Sequence, residues 1–334
     1  MKTQEVVKKL LASKDSAIRL KVYLRLLEHD YESPEVQGIA STIKERSSVV
    51  SGLLRAISAQ EQQYKIKQIG EGRVYKKWEG IHWVLADLAD IGYPPGDQAL
   101  LPSIQLELNW LLSEKRWATK KTINGRKRFC ASQEGNGLYS IISLGLAEQV
   151  WEECSILADR LMTYQWKDGG WNCDVRPEAI NSSYHESAIP LRALIAFERI
   201  TKDPKVKKAI NQSSELFLKR KFYKKMNSSK IIDGKWTKLS YPSYWMYNFL
   251  FGLKVIAECG KVKDPRCEDA LQLLESKQLP EGGFPAEQKN YVRNKKSRFS
   301  PVDWGETNKR KMNEWITIDA IYILKEANKI DIEV

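Results

Sequence analysis

Three residues with metal-binding side chains lie close together in the sequence: Cys173, Asp174 and His185. A thiolate, a carboxylate and an imidazole are ligands that zinc accepts, and three of them leave a fourth position for water or substrate. Cys130 or His82 could complete the set. However, the spacing matches no established zinc motif, and a lone cysteine beside a tryptophan usually packs in a core. Zinc is therefore one hypothesis, and a structural cysteine is the other. No further cofactor is indicated.

Carboxylates near predicted helix starts define a second hypothesis, acid–base chemistry without a metal. The candidate catalytic residues are His185, Glu186, Glu134, Glu79 and Asp174. Neighbouring carboxylates raise one another's pKa, so that one can remain an acid while another acts as a base. Such a pair would suit hydrolysis, elimination or cyclisation. The alternative is that these acidic residues cap helices and interact with the helix dipole.

The same helix starts carry aromatic and polar residues that could line a substrate cavity. They are Trp78, His82, Gln133, Asn136, Trp245, Tyr247, Asn248, Asn313, Glu314 and Trp315. Apolar walls with a few fixed polar groups are typical of small-molecule sites. The aromatic faces among them could also stabilise a cationic intermediate.

Apolar residues recur at helical spacing through most of the chain. The pattern predicts one or two helices over 3–28, and further helices over 34–59, 78–91, 104–112, 133–146, 149–164, 183–200, 204–222, 243–259, 264–277 and 312–328. No alternating pattern of useful length indicates a strand. The chain is therefore predicted to be all-α and built from helical hairpins. Residues 1–70 are expected to form a helical extension beside a main domain over 71–334.

Two segments repeat a helix-ending motif: Gln165–Trp171 and Gln278–Phe284. Each places a glutamine four residues before a Gly-Gly pair that an aromatic residue follows. The glycines permit a turn with positive φ, the aromatic residue can pack between hairpins, and the glutamine can bond open groups at a helix end. Asp233–Trp236 is a candidate third, degraded copy. A repeated helix-ending motif predicts a repeat architecture.

These segments resemble the QW repeat of squalene and terpenoid cyclases, a superfamily that includes the β-subunits of protein prenyltransferases. The resemblance covers roughly residues 74–330 and implies an α/α toroid, in which inner and outer helices surround a cavity that holds an isoprenoid. It implies an enzyme acting on an apolar substrate, which could be an isoprenoid or carry a diphosphate. The chain lacks the DxDD acid motif of the cyclases. Asp264–Cys267 has the wrong spacing for the prenyltransferase zinc ligands and no histidine follows it.

The composition favours anionic partners. The formal charge is +12 at pH 7, which would suit a diphosphate or another anion. Basic loops over 115–128, 219–225 and 289–311 could bind nucleic acid, with Trp117, Tyr223 and Tyr291 as stacking faces. Solvated loops are the more common explanation of such charge, so nucleic acid remains a weaker expectation than a small apolar substrate. A binding scaffold without catalysis, or a carbohydrate-active enzyme in the same cavity, is an alternative function.

The five cysteines are widely spaced, and neither a leader peptide nor an apolar membrane span is evident. We therefore expect a cytoplasmic protein with free thiols. The sequence indicates no oligomeric state.

Overall fold

The computed structural model describes residues 2–67, 73–293 and 298–332, and helices predominate in it. The helices are α1 (Lys2–Leu11), α2 (Ser16–Arg25), α3 (Pro34–Ala40), α4 (Ile43–Arg46), α5 (Ser48–Lys67), α6 (Ile81–Ile91), α7 (Leu101–Leu112), α8 (Glu114–Ala118), α9 (Ala131–Ser143), α10 (Trp151–Thr163), α11 (Ala188–Thr201), α12 (Pro204–Lys219), α13 (Phe249–Glu258), α14 (Glu268–Glu275) and α15 (Glu314–Glu326). The prediction of a mainly helical chain is confirmed.

Short strands lie within the predicted loops, so the expectation of a chain without strands is wrong in detail. Strands β1 (Thr122–Ile123) and β2 (Arg126–Lys127) form an antiparallel hairpin, and β3 (Pro285–Ala286) pairs with β4 (Asn308–Met312). Most of these strands are only two residues long, too short to show an alternating pattern. The turn between β1 and β2 was readable, because Asn124 and Gly125 both take positive φ there, as the Asn-Gly pair predicts.

Helix α11 begins at Ala188 rather than at residue 183. The physical reason is Pro190, which lies in the first turn of α11. A helix starting at residue 183 would bring the Pro190 ring against the carbonyl of Glu186, four residues earlier. His185 and Glu186 therefore lie in a turn before the helix.

Helix α13 likewise begins at Phe249 rather than at residue 243. The Asn248 side chain accepts a hydrogen bond from Phe251 N at 2.8 Å and so acts as the N-cap. Trp245 and Tyr247, predicted to lie on this helix, belong to the segment that precedes it.

Contacts between helices follow a closed path through six of them. The path runs from α2 to α6, α9, α11, α13 and α15, and from α15 back to α2. A second set of helices packs against these six: α7 contacts α6 and α9, α10 contacts α9, α12 contacts α11, α14 contacts α13, and α1 contacts α2. The polar groups at the beginnings of α9, α11, α13 and α15 include most of the predicted site residues.

One hydrophobic cluster runs from Val6 in α1 to Leu324 in α15. The helices before residue 67 therefore share a core with those that follow. The predicted domain boundary between residues 70 and 71 falls outside the described residues. Within them, no helix combines the length and the apolar composition that crossing a bilayer requires.

Candidate functional site

The side chains of Cys130, Cys173 and Glu186 meet at the beginning of α9. Their two sulfur atoms and one carboxylate oxygen all lie within 4.8 Å of one another. Cys130 is the residue before α9, Cys173 follows the first glycine motif, and Glu186 lies in the turn before α11. We call these three residues the thiol cluster. Throughout residues 2–67, 73–293 and 298–332, no other such group of potential metal ligands is found.

Hydrogen bonds fix the carboxylate of the thiol cluster. Glu186 Oε2 accepts from Ser132 N at 3.0 Å, in the first turn of α9, and Cys173 Sγ donates to Glu186 Oε1 at 3.6 Å. Glu186 is only 7% exposed, and this burial raises the pKa of its carboxyl group. Hydrogen bonds therefore hold the Glu186 carboxyl group at a buried position where its ionised form is unfavourable.

The two thiols influence each other. A hydrogen bond between them lowers the pKa of Cys130 and raises that of Cys173, so one thiolate is stabilised by the neighbouring thiol. The positive charges of Lys120 and Arg116 also lower the pKa of Cys130. Burial and the charge of Glu186 act in the opposite direction, so the hydrogen bond from Cys173 is the main reason for the lowered pKa of Cys130. A thiolate stabilised in this way is both a nucleophile and a metal ligand.

Asp174 and His185, predicted to bind zinc with Cys173, have other partners. Asp174 forms an ion pair with Arg176, whose hydrogen bonds lower the Asp174 pKa to about 2. His185 Nδ1 lies 2.9 Å from Tyr247 N and 3.1 Å from Trp245 O. Burial lowers the pKa of His185. In this structure Cys173 is therefore grouped with Cys130, which the sequence offered only as a fourth ligand, and with Glu186.

The predicted catalytic carboxylates have separate partners. Glu134 is fully buried and accepts from Arg116 Nη1 at 2.7 Å, while Glu79 pairs with Lys76 at 2.5 Å. Their partners therefore differ from those of Glu186. A buried carboxylate held by an arginine is a common structural anchor, and Glu134 fits that role.

Gln133 and Tyr75 lie beside the thiol cluster. Gln133 Oε1 accepts from Arg116 Nη2 at 2.7 Å. Tyr75 interacts electrostatically with Cys130, Cys173 and Glu186, and burial raises the pKa of its hydroxyl group. Tyr75 was not predicted from the sequence, because it comes before the helix that was expected to carry the site.

Two predicted binding residues, His82 and Asn136, lie in a buried group deeper among the helices, together with Glu107. His82 Nδ1 lies 2.7 Å from Glu107 Oε1, and both side chains are inaccessible to solvent. Asn136 Nδ2 lies 3.2 Å from His82 Nε2. These contacts use both ring nitrogens of His82, so it is not free to join the thiol cluster.

The remaining predicted binding residues support the ends of α6, α13 and α15. Trp78 stacks on Tyr244 with ring centroids 4.3 Å apart, and Trp315 stacks on Tyr241 at 5.4 Å. Asn313 Oδ1 accepts from Ile316 N at 3.1 Å and so caps α15, as Asn248 caps α13. Tyr247 donates its hydroxyl hydrogen to Phe222 O. Glu314, the residue after Asn313, is partly buried, and this burial raises the pKa of its carboxyl group.

A buried ion-pair network joins α2, α6, α11, α13 and α15, five of the six helices of the closed path, and the sequence did not predict it. Its members, which we call the central network, are Lys21, Arg25, Asp90, Arg192, Lys254, Glu258 and Asp319. Lys254 Nζ lies 2.7 Å from Asp90 and 2.9 Å from Asp319, and Arg192 Nε lies 2.7 Å from Glu258. Burial alone would raise the pKa of Asp90, but Lys21, Lys254 and Arg192 together hold it well below its usual value.

A cavity of about 60 Å³ lies beside the central network. Sites for drug-sized ligands measure about 300–1,000 Å³, so this space is too small for an isoprenoid chain. A second cavity of about 510 Å³, lined by Arg25, Asp90, Arg192 and Glu258 among others, does reach that range. The large apolar cavity that the resemblance implies is not found at this position.

The basic loops offer fewer stacking faces than expected. Tyr223 and Tyr291 are buried, and the Trp117 ring is covered by Lys127 and Arg160. Residues 294–297 of the third loop lie outside the described residues. Buried rings cannot stack on bases, so these loops fit nucleic acid less well than the sequence indicated.

Neither a scan against models of protein families nor a search of curated proteins finds a match to this chain.

Proposed function

We propose that the chain is an α/α toroid, as the glycine motifs indicate. The closed path of α2, α6, α9, α11, α13 and α15, with a second set of helices packed against it, supports this arrangement. In a toroid, α15 and α2 are adjacent inner helices. The N-terminal helices would then complete the ring instead of forming a separate extension.

We further propose that the protein is an enzyme with its active centre at the thiol cluster. The observation that carries the proposal is the convergence of Cys130, Cys173 and Glu186 within 4.8 Å. Two sulfur ligands and one carboxylate fit zinc, and they leave a fourth position open. When bound at such a site, zinc lowers the pKa of water or of a substrate thiol and so supplies a nucleophile near neutral pH.

The surrounding side chains would prepare this centre. Ser132 N holds the Glu186 carboxylate in position, and Arg116 and Lys120 favour the Cys130 thiolate. The Tyr75 hydroxyl group is protonated at neutral pH, as tyrosine usually is, and burial raises its pKa further, so it can donate a hydrogen bond. Positive charge beside a nucleophile suits a substrate that develops or carries negative charge.

The substrate class that fits best is an apolar molecule bearing an anionic group, such as a diphosphate. The cations beside the thiol cluster would bind the anion. The Trp245 ring, with Lys77 Nζ 4.9 Å from its centroid, offers an aromatic face on the segment that contacts His185. The reaction would take place where the helices begin, beside the thiol cluster.

Metal analysis tests this proposal. Protein purified without an affinity tag or chelator should contain one equivalent of zinc, and Cys130→Ser, Cys173→Ser and Glu186→Gln should each lose most of it. Cys259→Ser is the matched control, because Cys259 is also half-buried but lies outside the cluster. Its zinc content should equal that of the wild type.

Two results would overturn the metal-dependent proposal. One is protein without stoichiometric metal, and the other is zinc that survives Cys173→Ser. Asp174→Asn provides a further check, because the sequence hypothesis requires Asp174 as a ligand and the structure pairs it with Arg176. Retained zinc in Asp174→Asn would favour the thiol cluster over the sequence-predicted set.

The buried ion pairs between the helices of the closed path favour a second candidate function, a non-catalytic scaffold. A toroid whose inner helices are joined by ion pairs can present its outer surface to a partner without a substrate site. The scaffold predicts that Cys173→Ser leaves every biological readout unchanged. Loss of function in Cys173→Ser with an unaltered unfolding temperature would favour the enzyme.

A further inference from the structure

The segment at the end of α12 carries only positive charge. Residues 219–231, which we call the basic segment, contain no acidic residue and six cationic ones: Lys219, Arg220, Lys221, Lys224, Lys225 and Lys230. All of these except Lys230 line one surface cavity of about 350 Å³. The other lining residues, Asn227, Ser228 and Ser229, are uncharged and can form hydrogen bonds. The lining of this cavity therefore includes no carboxylate.

Nearby carboxylates neutralise only part of this charge. Lys221 Nζ and Lys224 Nζ each lie 2.8 Å from Asp269 Oδ2. Among residues 2–67, 73–293 and 298–332, no other ion pair includes a cation of the basic segment. The next acidic residue along the chain, Asp233, accepts a hydrogen bond from Lys235 N. Positive charge is thus in excess at this cavity, which favours an anionic partner.

Backbone hydrogen bonds hold part of the basic segment as a short hairpin. Lys225 N donates to Lys230 O at 2.9 Å, and Lys224 pairs antiparallel with Ile231. Residues directly opposite each other in an antiparallel pair place their side chains on the same face. Ile231 therefore lies on the face of Lys224, which lines the cavity.

The same hairpin exposes two large apolar side chains. Met226 is 58% exposed and Ile231 is 49% exposed. Single exposed apolar residues are common on protein surfaces, but here two of them lie among six cations on one short hairpin. Surfaces that bind anionic bilayers combine these features, because the cations attract the lipid phosphates and the apolar side chains enter the boundary of the acyl chains.

The aromatic residues of the basic segment argue against nucleic acid as the partner. Phe222 is inaccessible to solvent, and Tyr223 is only 7% exposed. Proteins that bind single-stranded nucleic acid stack its bases on exposed aromatic rings, and neither ring is available for this. The exposed residues Met226 and Ile231 are aliphatic, which suits a lipid surface instead.

We propose that the basic segment docks the protein on the surface of an anionic lipid bilayer. A lipid phosphate occupies the cavity beside Arg220 and Lys225, and the hydroxyl groups of Ser228 and Ser229 donate hydrogen bonds to it. Met226 and Ile231 enter the boundary between headgroups and acyl chains. The attachment is peripheral and reversible, and it is independent of the thiol cluster.

Co-sedimentation of the full chain with lipid vesicles tests this proposal. Vesicles of equal parts phosphatidylcholine and phosphatidylserine should bind the protein, and vesicles of phosphatidylcholine alone should not. Raising the salt from about 0.1 M to about 1 M shortens the Debye length from about 10 Å to about 3 Å, so most of the protein should be released. Equal binding to both kinds of vesicle, or no binding to the mixed vesicles at low salt, would overturn the proposal.

Reversing two exposed charges tests the role of the basic segment. Each lysine close to an anionic surface strengthens binding about fivefold, so the double variant Lys225→Glu/Lys230→Glu should bind mixed vesicles at least about 25-fold more weakly. The matched control is Lys207→Glu/Lys208→Glu, which changes the total charge equally at two exposed positions of α12. Its binding should stay within about threefold of the wild type. Equal losses in the two double variants would overturn the proposal.

The apolar contribution is tested without a change of charge. The double variant Met226→Ser/Ile231→Ser should bind mixed vesicles about tenfold more weakly than the wild type, because less apolar surface leaves water. Unchanged binding would overturn the proposed docking, since charge alone would then hold the protein to the vesicle. The unfolding temperature of each variant checks that it is folded.

Two further measurements separate this proposal from the alternatives. A single-stranded oligonucleotide that binds more tightly than the mixed vesicles at the same salt, and is lost in Lys225→Glu/Lys230→Glu, would assign the basic segment to nucleic acid and overturn the proposal. Cys173→Ser should bind the mixed vesicles as the wild type does. Failure of the metal site and failure of the lipid surface are therefore separate results.

Discussion

The two glycine motifs share a backbone geometry and differ in the side chains around it. In each copy the glutamine Nε2 donates to the carbonyl oxygen of the glycine four residues later, in Gln165 at 3.0 Å and in Gln278 at 2.9 Å. Gly169 and Gly282 both have φ of +99°. The Asp233–Trp236 segment does not repeat this geometry, because Gly234 begins a 3₁₀ turn without positive φ.

Equivalent hydrogen bonds show which residues after the two motifs correspond to each other. Trp171 N donates to Ser187 Oγ at 3.1 Å, and Phe284 N donates to Thr317 Oγ1 at 2.9 Å. Ser187 therefore corresponds to Thr317, and the residue before each is Glu186 in the first copy and Ile316 in the second. Two residues after the aromatic ring, Cys173 in the first copy corresponds to Ala286 in the second.

The difference between the copies shows that the motif and the candidate site depend on different residues. Both copies hold a loop between two helices, but only the first surrounds it with a thiol and a carboxylate. The motif itself thus accounts for the architecture, and residues outside it determine the candidate site.

Removing the aromatic ring should destabilise either copy. Trp171 and Phe284 are both fully buried, so Trp171→Ala and Phe284→Ala should each lower the free energy of unfolding by about 3–5 kcal/mol. Trp171→Ala should cost more, because the indole also donates to Leu161 O at 3.0 Å. Urea unfolding measures both values.

The control for these variants is Trp151→Ala, since the Trp151 side chain is 39% exposed. It should cost less than either core variant. If Phe284→Ala proved as mild as Trp151→Ala, the second copy would not be an equivalent of the first.

Local features of the fold were predictable from the sequence because their causes are local. Asp15 and Asp203 accept hydrogen bonds from the first turns of α2 and α12, as their positions indicate. The motif bonds also join residues only four positions apart. Helix periodicity, caps and turns all depend on neighbouring residues, so one sequence suffices for them.

The thiol cluster and the central network depend on contacts between distant residues. Pro190 carried a usable signal, since it excludes a helix through Glu186 and leaves that residue in a turn. Lys254 carried another, because it interrupts an apolar run. Neither signal shows which residue the side chain will contact. Partners in the central network can be far apart in the sequence, as are Arg25 and Glu258, which are separated by 233 positions. Pairing across such distances depends on how the helices pack.

Gly169→Ala should cost more stability than Gly282→Ala. Both glycines require positive φ, which costs another residue about 1–2 kcal/mol. At Gly169 a Cβ atom would also collide with the backbone carbonyl of Gln212 in α12, whereas at Gly282 it would lie 3.1 Å from Val6 Cγ2 in α1. We expect about 3 kcal/mol for the first and about 1–2 kcal/mol for the second.

Gly38→Ala is the control for this pair, because nothing lies within 4 Å of a Cβ atom there. This glycine is in α3, so alanine should raise stability by about 0.5–1 kcal/mol. Equal losses at Gly169 and Gly282 in urea unfolding would show that the close contact with α12 relaxes.

Zinc should stabilise the protein through the first copy only. Ligand at one hundred times its dissociation constant adds about 2.7 kcal/mol to the free energy of unfolding. Adding zinc to chelator-treated protein should therefore raise the unfolding temperature of the wild type. Cys173→Ser should lose this response, while Ala286→Ser, the corresponding change in the second copy, should keep it. A response lost in both variants would point to a general effect of the loops.

The smallest expected difference lies in the glutamines. Gln165 Nε2 donates to Gly169 O and also to Ala209 O of α12 at 2.9 Å, whereas Gln278 Nε2 donates to Gly282 O. Each neutral bond contributes about 0.5–1.5 kcal/mol net, so Gln165→Ala should cost about 2 kcal/mol and Gln278→Ala about 1 kcal/mol.

Gln165→Glu sharpens the test, because at neutral pH a carboxylate would face two carbonyl oxygens without a proton to donate. Its loss of stability should exceed that of Gln165→Ala and should diminish as the pH falls and the carboxylate is protonated. Equal losses for Gln165→Ala and Gln278→Ala would mean that the bond to Ala209 contributes nothing, and that the two copies are alike in this respect as well.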